Sequence, residues 1–279
     1  GFTEISPYDH QKRVWAKLDE RFIKQKGKKG LLIVPTGGGK TLSALYWIQR
    51  NIVAKDETLI WLADKSTLVL QACLEARTTV PLARTTSRDQ VEIGIVGGGQ
   101  GGWSTLGGPK APDMVFSTIQ SALRNTDQVR SLIEKSSSTL VVFDEAHHSV
   151  AHTYLSFLNS IASMNQVKLL GLTATPTRMN ESERKRFWNF WGGQEAIIHR
   201  VDVATLLKMD ILAKSHYEPV PTNVDIADHL SADDWAYLNT KGDIPPKLLK
   251  SLAENNKRNK LIADYYAKNA ARFDKTIVF

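Results

Sequence analysis

The chain has 279 residues, 42% hydrophobic and 23% charged, which is typical of a folded globular protein. Its net charge of +7 favours a polyanion such as nucleic acid as a partner. The single cysteine, Cys73, excludes an internal disulfide and favours a cytoplasmic protein, with the thiol packed in the core. Because no apolar stretch reaches the length of a membrane span, we expect no membrane association.

The first predicted element is a helix over residues 8–22, where Val14, Leu18 and Phe22 recur at helical spacing. Gln11 lies near the start of this helix. Its side-chain amide carries both a donor and an acceptor, which match the N6 and N7 edge of adenine. On spacing alone, a solvated surface glutamine is the simpler interpretation, and both interpretations stay open.

A phosphate-binding loop is predicted at residues 31–41, where an apolar run leads into a glycine-rich turn, a Lys-Thr pair and a helical pattern. In such a loop, backbone N–H groups and the positive end of the helix attract an anion. Lys40 is expected to reach the β- and γ-phosphates of a nucleotide, and Thr41 to bind Mg²⁺. The remaining residues that we expect to bind the nucleotide are Thr36, Gly37, Gly38 and Gly39.

One position departs from the general pattern G-x-x-x-x-G-K-[ST] of this loop. Val34 stands where the pattern has its first glycine. Taken alone, the stretch is therefore also compatible with a glycine-rich turn that simply precedes a helix. The rest of the chain has to decide between the two interpretations.

A second buried strand is predicted over residues 58–63, with a helix after it. Lys65 and Ser66 stand where that helix begins, and together with the helix N-terminus they would hold a backbone phosphate of a nucleic acid. The alternative is an ordinary helix cap formed by Asp64 or Ser66.

Two further strands are predicted over residues 91–96 and 114–117, joined by a long glycine-rich connection. We expect this connection to be a mobile loop with Trp103 exposed for stacking on a base. Thr118 follows the second of these strands. It either donates to a nucleic-acid phosphate or caps the next helix.

A continuous apolar run over residues 140–143 predicts a buried parallel strand that ends in Asp144 and Glu145. Two carboxylates at such a position are costly to bury unless they bind a cation. We therefore expect Asp144 to hold Mg²⁺ and Glu145 to position and deprotonate an attacking water. A capped helix start is the alternative, but it does not explain why the pair ends its own buried strand downstream of a phosphate loop.

Three histidines follow the carboxylates, but they do not form the H-E-x-x-H pattern of a zinc site. For His147 a conformational link to nucleotide or nucleic acid is favoured over a metal-ligand role. The strand predicted over residues 167–172 closes with Thr173 and Thr175, whose hydroxyls would bridge the loop at residues 144–147 to another surface.

Beyond residue 202 the alternation of strands and helices fades. A charged, aromatic helix over residues 181–191 precedes this point, and helical patterns follow it at residues 206–212, 233–238 and 245–273. Residues 275–279 have the apolar pattern of a new buried strand, but no further strand follows in the sequence with which it could pair. We therefore expect the chain to be cut just inside a further domain.

Taken in chain order, Pro-Thr-Gly-Gly-Gly-Lys-Thr, Asp-Glu-Ala-His-His and Leu-Thr-Ala-Thr-Pro resemble motifs of superfamily 2 helicases of the DEAD/DEAH type. The resemblance covers residues 7–178 and is strongest to the bacterial branch that groups with restriction-enzyme translocase (ResIII-type) subunits. It implies an α/β fold, a RecA-like domain whose mostly parallel sheet is flanked by helices. The implied domains are a helicase ATP-binding domain at 1–205, a helical segment at 206–273 and the first strand of a truncated second RecA-like domain at 274–279.

The resemblance also implies a role for each matched residue. The motifs that it assigns are an adenine-reading motif at Gln11, motif I at Lys40 and Thr41, motif Ia (a loose match) at Lys65 and Ser66, a further strand-contacting motif at Thr118, motif II at Asp144, Glu145 and His147, and the coupling motif III at Thr173 and Thr175. The activity implied is an ATP- and Mg²⁺-dependent helicase or translocase, with DNA favoured over RNA.

Other functions stay open at this point. A nucleic-acid sensor or remodelling ATPase would carry the same motifs without unwinding strands, whereas a P-loop ATPase for another task, such as transport, would not need Gln11, Thr173 and Thr175 together. In the family, an arginine finger comes from the second domain, so we expect little ATP turnover from residues 1–279 alone. The expected partners are nucleic acid and flanking domains or subunits of a defence, restriction or repair assembly.

Overall fold

The computed structural model describes eight stretches of the chain: residues 7–83, 90–97, 101–106, 108–176, 181–215, 217–221, 230–241 and 244–273. Two compact units are present, Gly1–Lys214 and Ser215–Phe279. The terminal strand predicted at residues 275–279 lies outside the described residues. The domain boundaries after residues 205 and 273 stay predictions. Within the described residues, every helix is too short or too polar to cross a lipid bilayer.

The first unit is built on one sheet, in which the described residues form seven strands. They are β1 Lys29–Ile33, β2 Thr58–Ala63, β3 Ile93–Val96, β4 Met114–Thr118, β5 Thr139–Asp144, β6 Val167–Thr173 and β7 Ile197–Arg200. Their order is β3-β4-β2-β5-β6-β1-β7, and each neighbouring pair is parallel. Every residue of β2 and β5 is buried, which explains the continuous apolar runs at residues 59–63 and 140–143.

Helices cover both faces of the sheet. In the first unit they are α1 Asp9–Leu18, α2 Lys40–Asn51, α3 Ser66–Ala83, α4 Ile119–Arg124, α5 Thr126–Glu134, α6 His152–Ala162, α7 Glu181–Trp191 and α8 Val203–Lys208. One hydrophobic cluster joins α1, α2 and α3 to the sheet and contains Cys73, as predicted. A second cluster joins α5, α6 and α7 to the other face. The predicted α/β architecture is confirmed.

The helix predicted at residues 8–22 is confirmed as α1, which continues into π-helical turns at Asp19–Lys24. The helix predicted over residues 206–212 lies earlier, at α8, because the Asp202 carboxylate caps it by accepting from the Thr205 backbone N–H at 2.7 Å. Strand β7 was not predicted. It is a four-residue edge strand of mixed polarity that carries no periodic apolar pattern.

The described helices of the second unit are α9 Ala232–Lys241, α10 Pro246–Ala253 and α11 Asn256–Asn269. The single helical pattern predicted over residues 245–273 is thus divided in two. The division has a local cause, since the Asn255 side chain accepts from the Arg258 backbone N–H at 3.0 Å and starts a new helix.

Trp103 does not form the exposed stacking surface that we expected. Its side chain is only 4% exposed and belongs to the core on the α5 and α6 side of the sheet. The indole N–H lies 3.3 Å from the Ser121 hydroxyl, so the polar atom of the ring has a protein partner. The prediction for Trp103 is wrong because the short 3₁₀ turn Trp103–Leu106 folds the ring inward.

The parallel arrangement places several of the predicted site residues at one edge of the sheet. Asp144 of β5 is in register with Leu172 of β6, and Thr173 of β6 is in register with Ile33 of β1. The carboxyl ends of these three strands therefore lie side by side, which is where ligands bind in open α/β sheets. Residues far apart in sequence meet at this edge.

Candidate functional site

The predicted phosphate loop leaves β1 and enters α2 at Lys40. Gly37 and Gly39 have φ values of +82° and +73°, which side chains rarely tolerate. Gly39 is the N-cap of α2 and provides no side-chain cap. The first-turn N–H groups of α2 are therefore available to an external acceptor, and the helix dipole adds positive charge there.

The valine that departs from the general pattern is accommodated by Gly38. A Cβ atom at Gly38 would lie 2.7 Å from Cγ1 of Val34 and 2.9 Å from Cδ1 of Leu206. Val34 is itself buried and belongs to the core. The loop thus keeps its shape with Val34 because the neighbouring position carries no side chain.

Lys40 joins the loop to the two carboxylates. Its Nζ atom lies 3.0 Å from Oδ1 of Asp144 and 2.8 Å from Oε1 of Glu145. Burial by itself lowers the pKa of Lys40, but the two negative charges outweigh it, so the pKa is raised above its usual value. The ammonium therefore stays charged and compensates two carboxylates of which one, Asp144, is only 6% exposed.

Glu145 has a backbone conformation that is unusual for a residue with a side chain. Its φ and ψ angles are 53° and 55°, in the left-handed region. Its backbone N–H donates to Oδ1 of Asp144 at 3.0 Å. This turn ends β5 abruptly and brings the Glu145 carboxylate to Lys40. Such strained positions are frequent at functional sites.

His147 links the carboxylate turn to the end of β6. Its Nδ1 atom lies 3.1 Å from the Thr173 hydroxyl oxygen and 3.4 Å from Oε2 of Glu145. The Thr173 hydroxyl also accepts from the Thr175 backbone N–H at 3.2 Å, and the Thr173 carbonyl accepts from the Val34 N–H at 3.1 Å. The predicted motif II and motif III residues are therefore in contact with each other and with the phosphate-loop strand.

Gln11 is buried against the phosphate loop, with only 4% of its surface exposed. Its Oε1 atom accepts from the Tyr8 backbone N–H at 3.0 Å. The amide nitrogen faces Gly39, where an added Cβ would lie 3.0 Å from it. The interpretation of Gln11 as a solvated surface residue is therefore wrong, whereas the adenine-reading role stays a prediction.

His10 also supports the loop, and the sequence patterns did not identify it. The ring is 4% exposed, and its Nε2 donates to the Gly38 carbonyl at 2.9 Å, which requires a proton on that nitrogen. The Nδ1 atom has no partner among the described residues. A lone histidine beside Gln11 carries no sequence signal of its own.

The phosphate loop, Lys40 and the two carboxylates line a cleft of about 350 Å³, whereas Gln11, His10 and His147 are not part of its lining. On the loop and carboxylate sides it is lined by Pro35, Thr36, Gly37, Gly39, Lys40, Thr41, Asp144 and Glu145. Helix α3 contributes Leu68, Gln71, Ala72 and Glu75, which we did not predict. Their spacing of three or four residues on one helix face is the signal that would have found them. Burial, and then the charge of Asp144, raises the pKa of Glu75.

The predicted nucleic-acid contacts lie at the ends of two neighbouring strands. Ala63 of β2 and Thr118 of β4 are paired in register, and exposed Lys65 and Ser66 follow Ala63. The Thr118 hydroxyl accepts from the Ser121 backbone N–H at 3.3 Å and thus caps α4. Asp64, one of the two alternative candidates for the cap of α3, accepts from the Gln120 side-chain amide at 2.7 Å through its Oδ1 atom.

This sheet, with a phosphate loop at the end of β1 and a carboxylate pair at the end of β5, one strand away, is the RecA-like fold of helicase ATP-binding domains. Residues 4–178 match the model of the family described as Type III restriction enzyme, res subunit. The match covers more than half of the chain, so the chain belongs to this family. The predicted membership in the ResIII-type branch of superfamily 2 helicases is confirmed.

A similar curated protein is "Putative DNA 3'-5' helicase Rad25" of Haloarcula marismortui. It is 29% identical over 168 residues, which are 60% of this chain and 23% of that protein. The chain therefore spans about a quarter of the relative that it matches.

Two solved structures illustrate the shared fold. The Hef helicase domain of Pyrococcus furiosus has a TM-score of 0.57 at 22% identity, covering 94% of this chain and 54% of that one. The Type ISP restriction-modification enzyme LlaGI, solved with a DNA substrate mimic, has a TM-score of 0.52 at 19% identity, covering 74% and 18%. At these identities the likeness shows the fold alone.

Proposed function

We propose that this chain is the ATP-binding portion of an ATP-dependent nucleic-acid helicase or translocase. One observation carries the proposal. Lys40 of the phosphate loop is within 3.0 Å of both carboxylates at the end of β5. A cation between a helix N-terminus and two acidic groups is the arrangement expected of a pocket for a nucleotide and its metal.

The residues present fit both ligands. The uncapped start of α2 and the Lys40 ammonium suit phosphate oxygens, and the glycines let the backbone come close to them. The Thr41 hydroxyl and the Asp144 carboxylate are oxygen ligands of the kind Mg²⁺ prefers. When bound, the metal would neutralise charge on the phosphates. The full set proposed to hold the nucleotide is Gln11, Thr36, Gly37, Gly38, Gly39, Lys40 and Thr41.

The ion pairs of Lys40 define what the protein itself would do. In this structure the Lys40 ammonium is paired with both carboxylates. If Lys40 bound phosphate instead, Asp144 would be free to bind the metal and Glu145 to bind the attacking water. Glu145 would then accept a proton from the attacking water as general base. His147 contacts both Glu145 and Thr173. A movement of the carboxylate turn would therefore be transmitted through His147 to the end of β6.

The proposed partner is nucleic acid, with DNA favoured over RNA. The net charge of +7 suits a polyanion, and the curated relative is named as a DNA helicase. Lys65, Ser66 and Thr118 would contact the phosphates of one strand. The surrounding assembly that we propose is one of restriction, defence or repair, located in the cytoplasm. The alternative is a sensor or remodelling ATPase that binds strands without separating them.

ATP hydrolysis by the natural protein that carries this chain tests the proposal. Lys40→Ala and Glu145→Gln should each lower kcat by about 100-fold or more, since they remove the phosphate cation and the general base. Lys250→Ala, which removes a lysine that is 77% exposed, is the matched control and should leave the rate unchanged. Full activity in either site variant would contradict the proposal. A strand-displacement assay with the same protein separates the helicase from the sensor.

A further inference from the structure

Three polar side chains that are not part of the cleft lining form a closed hydrogen-bonded cluster. The Gln120 amide nitrogen donates to Oδ1 of Asp64 at 2.7 Å and to the hydroxyl oxygen of Tyr154 at 2.8 Å. The Tyr154 hydroxyl completes the triangle by donating to Oδ1 of Asp64 at 3.4 Å. We refer to Asp64, Gln120 and Tyr154 as the Asp64 cluster.

Each member of the Asp64 cluster comes from a different part of the fold. Asp64 directly follows β2 and precedes Lys65, whereas Gln120 lies in the first turn of α4, two residues after Thr118. Tyr154 lies in α6. The cluster therefore ties together the two turns that carry the proposed nucleic-acid contacts. Side chains that are 34 to 90 residues apart in sequence do not meet in this way through local helix capping.

The protonation states of the cluster are consistent with these donor roles. Burial, and then the negative charge of Asp64, raises the pKa of Tyr154, so its hydroxyl remains protonated at neutral pH and able to donate. The Gln120 amide uses both of its N–H groups. All three side chains are partly buried, and at such positions hydrogen bonds to a charged acceptor are stronger than at the open surface.

Tyr154 also connects the cluster to the carboxylate strand. Its ring lies 6.4 Å, centroid to centroid, from that of Phe143, a fully buried residue of β5. Phe143 directly precedes Asp144. The Asp64 cluster is thus in ring contact with the end of β5, next to Asp144, the proposed magnesium ligand.

We propose that the Asp64 cluster fixes the turns at Lys65 and Thr118 relative to each other, so that they grip phosphates of one nucleic-acid strand as a unit. Asp64, Gln120 and Tyr154 are positioning residues in this scheme and do not themselves contact the strand. The inference rests on the proposed function, since it concerns the same strand. It adds three residues to which none of the sequence motifs assigned a role.

The test measures binding of a fluorescently labelled oligothymidylate by anisotropy. Gln120→Leu removes both donated hydrogen bonds at similar size and should weaken binding about 10-fold, the effect of losing a hydrogen bond to a charged group. Tyr154→Phe removes one hydroxyl and should weaken binding about threefold. Tyr46→Phe is the matched control, because its hydroxyl accepts one exposed hydrogen bond from Arg50 and should not affect binding.

A double-mutant cycle with Lys65→Ala separates positioning from a general structural role. If Gln120 acts by placing Lys65, the Gln120→Leu effect should shrink to less than about twofold in the Lys65→Ala background. The slope of log K against log salt should also fall by about 0.7 in Gln120→Leu, as expected when one phosphate contact to a single strand is lost. Binding of a fluorescent ATP analogue should change by less than about twofold, since none of the three side chains lines the cleft.

Equal effects of Gln120→Leu with and without Lys65 would overturn the inference, as would unchanged binding in both Gln120→Leu and Tyr154→Phe. Tyr154→Phe deletes one atom only, so it keeps the test decisive if Gln120→Leu folds poorly. Failure of the wild-type protein to bind the oligonucleotide would overturn the nucleic-acid part of the proposed function and this inference with it. If the wild-type protein binds the oligonucleotide but the effects of Gln120→Leu and Lys65→Ala are additive, only this inference is overturned and the proposed function stands.

Discussion

The Lys40 ammonium lies 2.8 Å from the Glu145 carboxylate, although the two residues are 105 positions apart in the chain. This pair joins the phosphate loop to the end of β5 across the intervening strand β6. It also keeps the general base that we propose occupied until another group takes up the lysine. The ion pair is therefore both a structural contact and the resting state of the proposed site.

Replacing Lys40 with alanine should destabilise the protein as well as inactivate it. The substitution leaves Asp144 and Glu145 without their shared cation, and breaking a buried pair of this kind lowers the free energy of unfolding by about 3 kcal/mol. Chemical denaturation measures the change. The control Lys250→Ala breaks only an exposed pair and should change stability by less than about 0.5 kcal/mol. Equal midpoints for the two variants would show that the Lys40 pair contributes nothing.

Glu75→Gln should stabilise the protein at neutral pH. The folded state raises the pKa of Glu75, so it binds the proton more tightly than the unfolded chain does. The resulting stabilisation is present below the ordinary carboxyl pKa of 4.5 and is lost as pH rises through the folded value. Glutamine removes this loss, so we expect a gain of about 1–2 °C in Tm at pH 8, corresponding to less than 1 kcal/mol after allowance for solvent screening.

Thermal unfolding of wild type and Glu75→Gln between pH 4 and pH 8 checks this prediction. The difference in Tm should shrink as the pH approaches 4. Glu134→Gln, at an exposed position on α5, is a suitable control and should show no such trend. A gain in Tm that is independent of pH would mean that Glu75 acts through packing instead of charge.

Gly38→Ala should distort the phosphate loop. The added methyl group would lie 2.7 Å from Val34 and 3.0 Å from the Pro35 carbonyl oxygen, which is too close for unstrained packing. We expect a loss of about 1–3 kcal/mol in stability, as for other overpacked sites, together with weakened nucleotide binding. Val34→Ala combined with Gly38→Ala should recover part of both losses. If the double variant behaves no better than Gly38→Ala, the proposed complementarity of these two positions is wrong.

The sequence patterns predicted that Lys40, Asp144 and Glu145 would meet, because each of these residues belongs to a local pattern that ends a strand. A buried strand that is followed by glycines, Lys40 and Thr41 favours a turn at that point, and the unbroken apolar run before Asp144 favours a central strand. Parallel pairing then brings the two strand ends to the same edge. Residues 40 and 144 could be expected to meet without any knowledge of the intervening loops.

The features that were missed depend on tertiary contacts. His10 is an ordinary helix residue until its ring meets the Gly38 carbonyl, and Glu75 is an ordinary charge until α3 packs beside the cleft. Trp103 lies in a glycine-rich stretch that suggests exposure, but the ring finds a partner in Ser121. Strand β7 is short and polar, and only its pairing with β1 defines it. Local periodicity cannot encode contacts of this kind.

The most direct test of the account is a titration of the protein with a fluorescent ATP analogue in the presence and absence of Mg²⁺. We predict saturable binding that is strengthened by Mg²⁺, reduced at least about 10-fold by Lys40→Ala, which lines the cleft, and unchanged by Lys250→Ala, which removes an exposed lysine of the second unit. Equal binding by both lysine variants, or no binding by the wild-type protein, would contradict the claim that this cleft holds a nucleoside triphosphate.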